Sequence, residues 1–150
     1  MHLLDLLDSH PGVQRAADRL ADSSRGPSHL QITGVHSPAW AVVAAKLQQK
    51  NGCTLLLVTP DGETAERCTN DLRALFELAD EDNEAPDVFL FPIPERAGVE
   101  DIDGDRSATQ DRLSTLDALH HDKPVIVVST ANALAHPTLP PKELRHGYDE

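Results

Sequence analysis

The 150-residue sequence is poor in basic residues, with 13 lysines and arginines against 25 aspartates and glutamates and a net charge of −12. Contact with phosphate groups requires clustered lysine and arginine side chains. The charge therefore argues against direct binding of nucleic acid or of an anionic membrane. The segment from Thr59 to Asp122 holds eighteen acidic and five basic residues. Such an acidic face usually provides solubility and less often meets a basic partner.

Cysteines and long apolar runs are also scarce. Cys53 and Cys68 are too far apart for a CxxC motif and occupy apolar positions of the pattern. We therefore expect two buried free thiols in a reducing compartment. No apolar run approaches the ~20 residues of a membrane span, and the first residues lack the basic start and long apolar core of a signal peptide. The sequence predicts a cytoplasmic chain with no membrane partner.

The segment from Gln31 to Leu47 is the centre of the pattern. We predict a strand at 29–33, a tight turn at Gly34 and then a helix with Ser37 as its N-cap and Pro38 at its first position. A strand, a glycine turn and a helix N-terminus form the scaffold of a phosphate-binding loop. The helix carries an apolar stripe that should pack against a sheet. The stripe consists of Trp40, Val43, Ala44 and Leu47.

The chemistry of a phosphate-binding loop is absent from this segment. A GxxxxGK[ST] loop starting at Gly34 would need glycine, lysine and a hydroxyl where the chain has Ala39, Trp40 and Ala41. If each lost charge-assisted contact contributes roughly 1.5–3 kcal/mol, losing two lowers the affinity for a nucleotide by on the order of 100- to 10,000-fold. We interpret the segment as a vestigial phosphate loop that binds no cofactor. Its residues are Gly34, Val35, His36, Ser37, Pro38, Ala39, Trp40 and Ala41. An ordinary βα turn without nucleotide ancestry explains these residues equally well.

The rest of the chain alternates apolar runs with helical patterns. We predict an N-terminal helical segment over residues 1–28, an α/β domain over 29–135, and the incomplete start of a following segment over 136–150. Strands are predicted at 53–59, 88–91 and 125–128, and those at 53–59 and 125–128 should be covered on both faces. Helices are predicted near 3–7 and at 13–21, 63–79, 106–120 and 131–135. The fold class is α/β, with a mostly parallel sheet, helices on both faces and right-handed crossovers.

The helical spacing also predicts which side chains face the core. In the helix at 13–21 these are Val13, Ala16, Ala17 and Leu20. In the helix at 63–79 they are Ala65, Cys68, Leu72, Leu75, Phe76 and Ala79. In the helix at 106–120 they are Thr109, Leu113, Leu116 and Leu119.

Other constellations give no catalytic or metal site. The eight histidines show no HxxxH or HxH spacing, and the adjacent pair His120 and His121 would point in different directions on a helix. No GxSxG motif occurs, and His36 beside Ser37 is a poor nucleophile–base pair at a helix entry. The irregular stretch 92–105 offers only carboxylates for a hard cation. These are Glu95, Glu100, Asp101, Asp103 and Asp105.

An ordered series of short motifs resembles the N-terminal module of the bacterial transcription-repair coupling factor family, Mfd. It extends from about Leu30 to Leu144, and no single motif in it is specific. The series consists of Gly34-Val35-x-Ser37, Leu57-Val58-x-Pro60-Asp61, Ala65-Glu66-Arg67, Asp71-Leu72, Phe91-Pro92, Arg112-Leu113-Ser114-Thr115-Leu116, Val125-Ile126-Val127-Val128, Ala133-Leu134 and Leu139-Pro140-Pro141.

The resemblance implies a domain similar to the first domain of the excision-repair protein UvrB, with a degenerate loop where UvrB has an intact one. UvrB would also need a long aromatic hairpin, whereas residues 92–105 lack aromatics and Tyr148 is the only tyrosine. Both departures favour the coupling factor. In that family the module is non-catalytic, and it helps recruit UvrA and restrains the motor through intramolecular contacts.

The resemblance further implies that ATP, magnesium, DNA and RNA polymerase are bound by other domains of the full-length translocase. The family's contact residues for UvrA fall largely in the next domain, so none is assigned to this chain. Two alternatives stay open. The first is a nucleotide-binding or hydrolysing domain with an atypical loop at Gly34 to Ser37, and the second is a stand-alone small-molecule-binding α/β domain.

Overall fold

The computed structural model describes residues 3–22, 29–36, 39–79, 85–94, 107–121, 123–138 and 140. A short 3-10 helix at Leu3–Leu7 precedes the regular elements. The α-helices are α1 (Pro11–Ala21), α2 (Ala39–Asn51), α3 (Gly62–Ala79), α4 (Ser107–Ala118) and α5 (Ala131–Ala135). The strands are β1 (Leu55–Thr59), β2 (Asp87–Phe91) and β3 (Val125–Thr130).

The three strands form one parallel sheet in the order β1-β3-β2. β3 is central and buried along its whole length, as its continuous apolar sequence predicts. The alternation of side chains along β3 separates two cores on the two faces of the sheet. Ile126 and Val128 pack in the first core, while Val125 and Val127 pack in the second. An α/β fold with a parallel sheet between helices is therefore confirmed.

Helices α2 and α3 cover the face of the first core, and α4 and α5 cover the face of the second. The buried members of the first core are Leu4, Ala41, Ala45, Ala65, Cys68, Leu72, Phe76, Val88, Ile126 and Val128. Those of the second are Phe91, Val125, Val127 and Ala133. The second core is smaller, and this difference leaves part of its sheet face without a cover.

The predicted strand at 29–33 is wrong. Residues 29–36 form neither strand nor helix, and Ile32 is 46% exposed. A strand needs a neighbour that pairs with its backbone groups and buries one of its faces. The alternation of Leu30 and Ile32 suits a strand locally, but in the described conformation the segment lies outside the sheet.

The prediction that β1 is covered on both faces is also wrong. Leu55 and Leu57 pack against the first core, but Leu56 and Val58 are 51% and 55% exposed. The register places Leu56 beside Val127 on the face of α4 and α5, and these two helices cover β2 and β3 only. Cys53, predicted to be buried, precedes this edge strand and is exposed.

Helix α3 agrees best with its sequence pattern. The carboxylate of Asp61 accepts a hydrogen bond from the N–H of Thr64 at 2.7 Å, which caps the first turn and holds the pKa of Asp61 below its usual range. The predicted face is confirmed where its side chains are described. Ala65, Cys68, Leu72 and Phe76 are buried, and Leu75 is partly buried against them.

The predicted buried faces of two other helices are only partly right. Leu116 of α4 packs against the second core and Ala44 of α2 is buried, as predicted, but other residues of each predicted face are not buried. In α4 the buried side chains are Ala108, Arg112 and Thr115, whereas Thr109 and Leu119 are exposed. Hydrogen bonds from Arg112 and Thr115 to nearby carbonyls permit their burial, so apolar periodicity alone misplaces the face.

In α2 the buried apolar residues are three alanines, Ala41, Ala44 and Ala45. Small side chains allow closer approach, and the larger Trp40, Val43 and Leu47 are only half-buried beside them.

The N-terminal helices are confirmed and are joined to α2. Leu4 is buried in the first core, and the buried ammonium of Lys46 lies 2.9 Å from the carboxylate of Asp8. This contact with Lys46 lowers the pKa of Asp8. Val13, Ala16 and Ala17 of α1 are buried as predicted, while Leu20 is exposed.

Candidate functional site

The vestigial phosphate loop is described on both sides of Ser37 and Pro38, which lie outside the described residues together with their predicted capping roles. Gly34 has a φ of +79°, a conformation that favours glycine and agrees with the predicted turn. A Cβ atom at Gly34 would meet no atom within 4 Å. The glycine is therefore required by the backbone conformation and not by close packing.

The beginning of α2 is built for packing. Its first residue, Ala39, donates its N–H to the carbonyl of His36 at 2.7 Å. Ala41 is buried, and the indole of Trp40 packs against the first core. These residues stand where an intact phosphate loop would carry its lysine and hydroxyl. Trp40 and Ala41 therefore contribute to the core and offer a phosphate no charge-assisted contact.

A groove of about 900 Å³ runs between α1, residues 30–35 and the start of α2. Its lining includes Gly34 and Val35 together with Arg15 and Arg19 of α1. Arg15 is exposed and donates from Nε to the carbonyl of Pro11 at 3.2 Å. Asp18 and Asp22 line the same groove, so two cations and two carboxylates are interspersed from Arg15 to Asp22. The described groove is accordingly mixed in charge.

Sequence reasoning did not identify the two arginines of this groove. Arg15 and Arg19 are four residues apart and so lie on one side of a helix. That spacing is the available signal, but nothing in the sequence places α1 along the same groove as Gly34. Their shared groove is a product of the tertiary structure.

The carboxyl ends of the strands are where open α/β sheets usually bind ligands. Here a cleft of about 320 Å³ opens beside the ends of β2 and β3. Its described lining includes the carboxylates of Glu66 and Asp111 and contains no lysine, arginine or histidine. A polyphosphate would meet negative charge at this position without compensation.

The hydroxyl groups at the same end of the sheet are engaged in the fold. Thr59 donates to the carbonyl of Ser129 at 3.2 Å, and Ser129 donates to the carbonyl of Phe91 at 2.8 Å. The hydroxyl oxygen of Thr130 accepts the N–H of Ala133 at 3.1 Å and so caps α5. These hydroxyls stabilise the ends of the strands. Among the residues that the structure describes, none of them is hydrogen-bonded to a side chain that could act as a general base.

Arg112 is the most buried cation near this end of the sheet. Its Nη1 donates to the carbonyls of Pro92 at 2.8 Å and Ala133 at 3.2 Å, and its Nη2 donates to that of Pro137 at 3.4 Å. The guanidinium lies 4.0 Å from the ring centroid of Phe91. Burial lowers the pKa of Arg112. The side chain joins α4 to the segments after β2 and α5, so we assign it a structural role.

Metal and nucleophilic chemistry find little support in the described part of the chain. It contains no group of three or more side chains arranged to hold a metal ion. His120 and His121 are each engaged within their own helical turn, with Leu116 and Asp117. Burial raises the pKa of Cys68 to about 12, so its thiol stays protonated at neutral pH. The carboxylates at 95, 100, 101, 103 and 105 lie outside the described residues.

None of the helices in the described ranges has the length and apolarity required to cross a bilayer. Comparisons of the chain with protein-family models, with curated proteins and with solved structures found no match.

Proposed function

We propose that the chain is a non-catalytic protein-interaction module of a transcription-coupled DNA repair factor. In this proposal residues 29–135 are a UvrB-like α/β domain with a degenerate phosphate loop, similar to the first such domain of the coupling factor family. The module acts in the cytoplasm, helps recruit UvrA and restrains the motor through intramolecular contacts. ATP, magnesium, DNA and RNA polymerase are handled by other domains of the full-length translocase.

The observation that carries the proposal is the position of Trp40. Its indole packs against the first core at the point where a nucleotide-binding loop presents a lysine. Ala41, which replaces the hydroxyl residue, is also buried. The loop therefore offers neither a cation nor an alcohol to a triphosphate, and its side chains serve the fold.

The charge distribution supports the same proposal. The net charge of −12 and the carboxylate-lined cleft at the end of the sheet both disfavour polyanions. A domain with this surface suits contacts with other proteins, and DNA is left to more basic domains.

Isothermal titration with ATP and magnesium tests the non-catalytic assignment. We expect no binding tighter than millimolar and no hydrolysis. Trp40→Lys should chiefly lower the stability, because it buries an ammonium where an indole packed, and Trp40→Phe serves as the apolar control. Micromolar affinity of the wild-type chain for ATP, or turnover of ATP, would overturn the assignment.

Surface plasmon resonance with the immobilised chain tests the partner. Because the family's contact residues for UvrA fall largely in the next domain, we expect saturable binding of UvrA by the chain joined to that domain, and no binding of duplex DNA by the chain alone at physiological salt. Failure of the joined protein to bind UvrA would remove the repair assignment even if the chain also ignores ATP. Binding of DNA by the chain would contradict the inference that its acidic surface disfavours contact with nucleic acid.

The alternative is an anion- or nucleotide-binding domain with an atypical site, favoured by one observation. Arg15 and Arg19 line the same groove as Gly34, so the groove contains cations that the loop itself lacks. Under this alternative, ADP or inorganic phosphate binds the wild type, and Arg15→Gln with Arg19→Gln abolishes that binding. Under the scaffold proposal neither ligand binds and the double variant changes nothing.

A further inference from the structure

The two edges of the sheet are closed unequally. At the β2 edge, the carbonyl of Val88 accepts hydrogen bonds from Nε and Nη2 of Arg73 at 3.1 and 2.9 Å. The hydroxyl of Thr115 donates to the carbonyl of Asp111 at 2.7 Å and also lies 3.4 Å from the carbonyl of Leu90, which it covers. Phe91 lies one residue after Leu90, so its carbonyl points the other way along the strand, and it accepts from the hydroxyl of Ser129 in the neighbouring β3. The carbonyl groups of Val88 and Leu90 therefore point away from β3, and side chains of α3 and α4 cover them at this edge.

The β1 edge has no such closure among the described residues. No described side chain forms a hydrogen bond with the backbone of Leu55 to Val58, which pairs only with β3. Leu56 and Val58 expose about half of their surface on the adjoining sheet face. An open edge beside exposed apolar side chains is a site where a further strand adds.

The handedness of the crossovers says which segment of this chain fits there. The connection from β1 to β2 runs through α3, and α2 packs in the same core as α3 and hence on the same sheet face. Crossovers between parallel strands are right-handed in about 98% of cases. A parallel strand that precedes α2 must therefore lie on the side of β1 away from β3. That side is the open edge.

Residues 29–33 have the length and pattern that this edge requires. The segment and β1 each contain five residues. Alignment of their carboxyl ends sets Leu30 beside Leu56 and Ile32 beside Val58. These four apolar side chains then lie on one face, where three of them are at present exposed. In the described conformation the segment borders the 900 Å³ groove and makes no strand pairing.

We propose that residues 29–33 form a fourth strand in a second conformation of the chain, paired in parallel with the open edge of β1. The sheet order becomes 29–33, β1, β3, β2. The change removes Leu30 and Ile32 from the groove of α1 and covers the backbone groups of β1. It also brings Gly34 to the carboxyl end of the sheet, which completes the strand–turn–helix scaffold of the vestigial loop.

Disulfide trapping tests the pairing. The test variant is Ile32→Cys with Val58→Cys in a Cys53→Ser background, and the control pairs Ile32→Cys with Leu78→Cys. All of these positions are exposed, so the substitutions should not disturb folding. Cys68 stays because it is buried. We expect the test pair to oxidise within one chain about 10- to 100-fold faster than the control.

Hydrogen exchange provides the second measurement. In the oxidised test variant, the amides of β1 that point away from β3 should become protected, while the control variant leaves them unprotected. Equal oxidation rates for the two pairs would overturn the proposal. Disulfides formed only between chains, with protection that depends on concentration, would also overturn it, because a second copy would then occupy the edge. Neither result bears on UvrA or ATP binding.

Discussion

Arg112→Ala tests how much of the fold depends on one buried cation. The guanidinium donates to three backbone carbonyls and stacks on Phe91. Two of those carbonyls belong to segments that no regular element holds, at Pro92 and Pro137. Removal of the side chain takes the guanidinium donors from the carbonyls of Pro92 and Pro137, whereas the carbonyl of Ala133 keeps the N–H of His136 at 3.3 Å. It also opens space between α4 and the sheet.

The magnitude follows from these contacts. An unpaired buried acceptor costs about 1–3 kcal/mol, and the ring contact contributes about 0.5–2 kcal/mol. The sum is reduced in two ways. The carbonyl of the exposed Pro137 can take a water molecule instead, and the variant no longer desolvates a cation whose pKa burial lowers. We expect Arg112→Ala to lower the free energy of unfolding by about 3–5 kcal/mol.

Urea unfolding followed by circular dichroism measures this loss, and the corresponding fall in Tm is about 10 °C. Arg112→Lys should lie between the wild type and Arg112→Ala, because an ammonium keeps the charge but not the planar fork or the stacking. Arg67→Ala is the matched control, since its guanidinium is exposed and its ion pair with Glu63 is long at 3.9 Å. That variant should change the stability by less than about 0.5 kcal/mol. If Arg112→Ala is as stable as Arg67→Ala, water serves the three carbonyls and the structural role of Arg112 is refuted.

Two further predictions concern pH. Burial raises the pKa of Cys68 from 9.0 to about 12. Above pH 9 the thiol therefore loses its proton on unfolding, and the free energy of unfolding falls by about 1.4 kcal/mol per pH unit between pH 9 and pH 12. Cys68→Ala should remove that part of the slope in urea unfolding, and an unchanged slope would mean that the thiol ionises in the folded state. Asp61 has a pKa held below 3.8 by the N–H of Thr64, so its capping contribution is present above pH 3.8 and is lost as the pH falls through the lowered pKa. The Tm of Asp61→Ala should lie below that of the wild type at pH 7 and approach it in acid, whereas a constant difference would assign the loss to another cause.

The sequence predicts the elements better than it predicts their orientation. α3 is long, begins at a capping aspartate and repeats its apolar residues at helical spacing, so its bounds and face are both recovered. α4 lies where the sequence predicts it, but of its predicted face only Leu116 packs against the second core, and its buried side chains are others. Arg112 and Thr115 are buried because particular carbonyls lie within reach, and apolar periodicity contains no information about such acceptors. The exposure of Cys53 was missed for a related reason, since the pattern cannot say which strand is at the edge.

The candidate site was only partly accessible to sequence reasoning. The turn glycine and the missing lysine and hydroxyl are local features, and they can be read from Gly34 to Ala41. The groove is not local, because it depends on the packing of α1 against α2 across a gap of many residues. Arg15 and Arg19 therefore become candidates only when the tertiary structure brings them to the groove that Gly34 also lines.

The two errors that concern strands have one physical explanation under the proposed fourth strand. The apolar sequence of β1 predicts two covered faces, and the alternation in residues 29–33 predicts a strand, but both remain exposed in the described conformation. Pairing of this segment with β1 would satisfy both patterns at once, with the handedness that the crossovers require. Agreement between local pattern and global topology is what natural sequences normally achieve. The exposed Leu56, Val58 and Ile32 thus mark the conformation in which that agreement is incomplete.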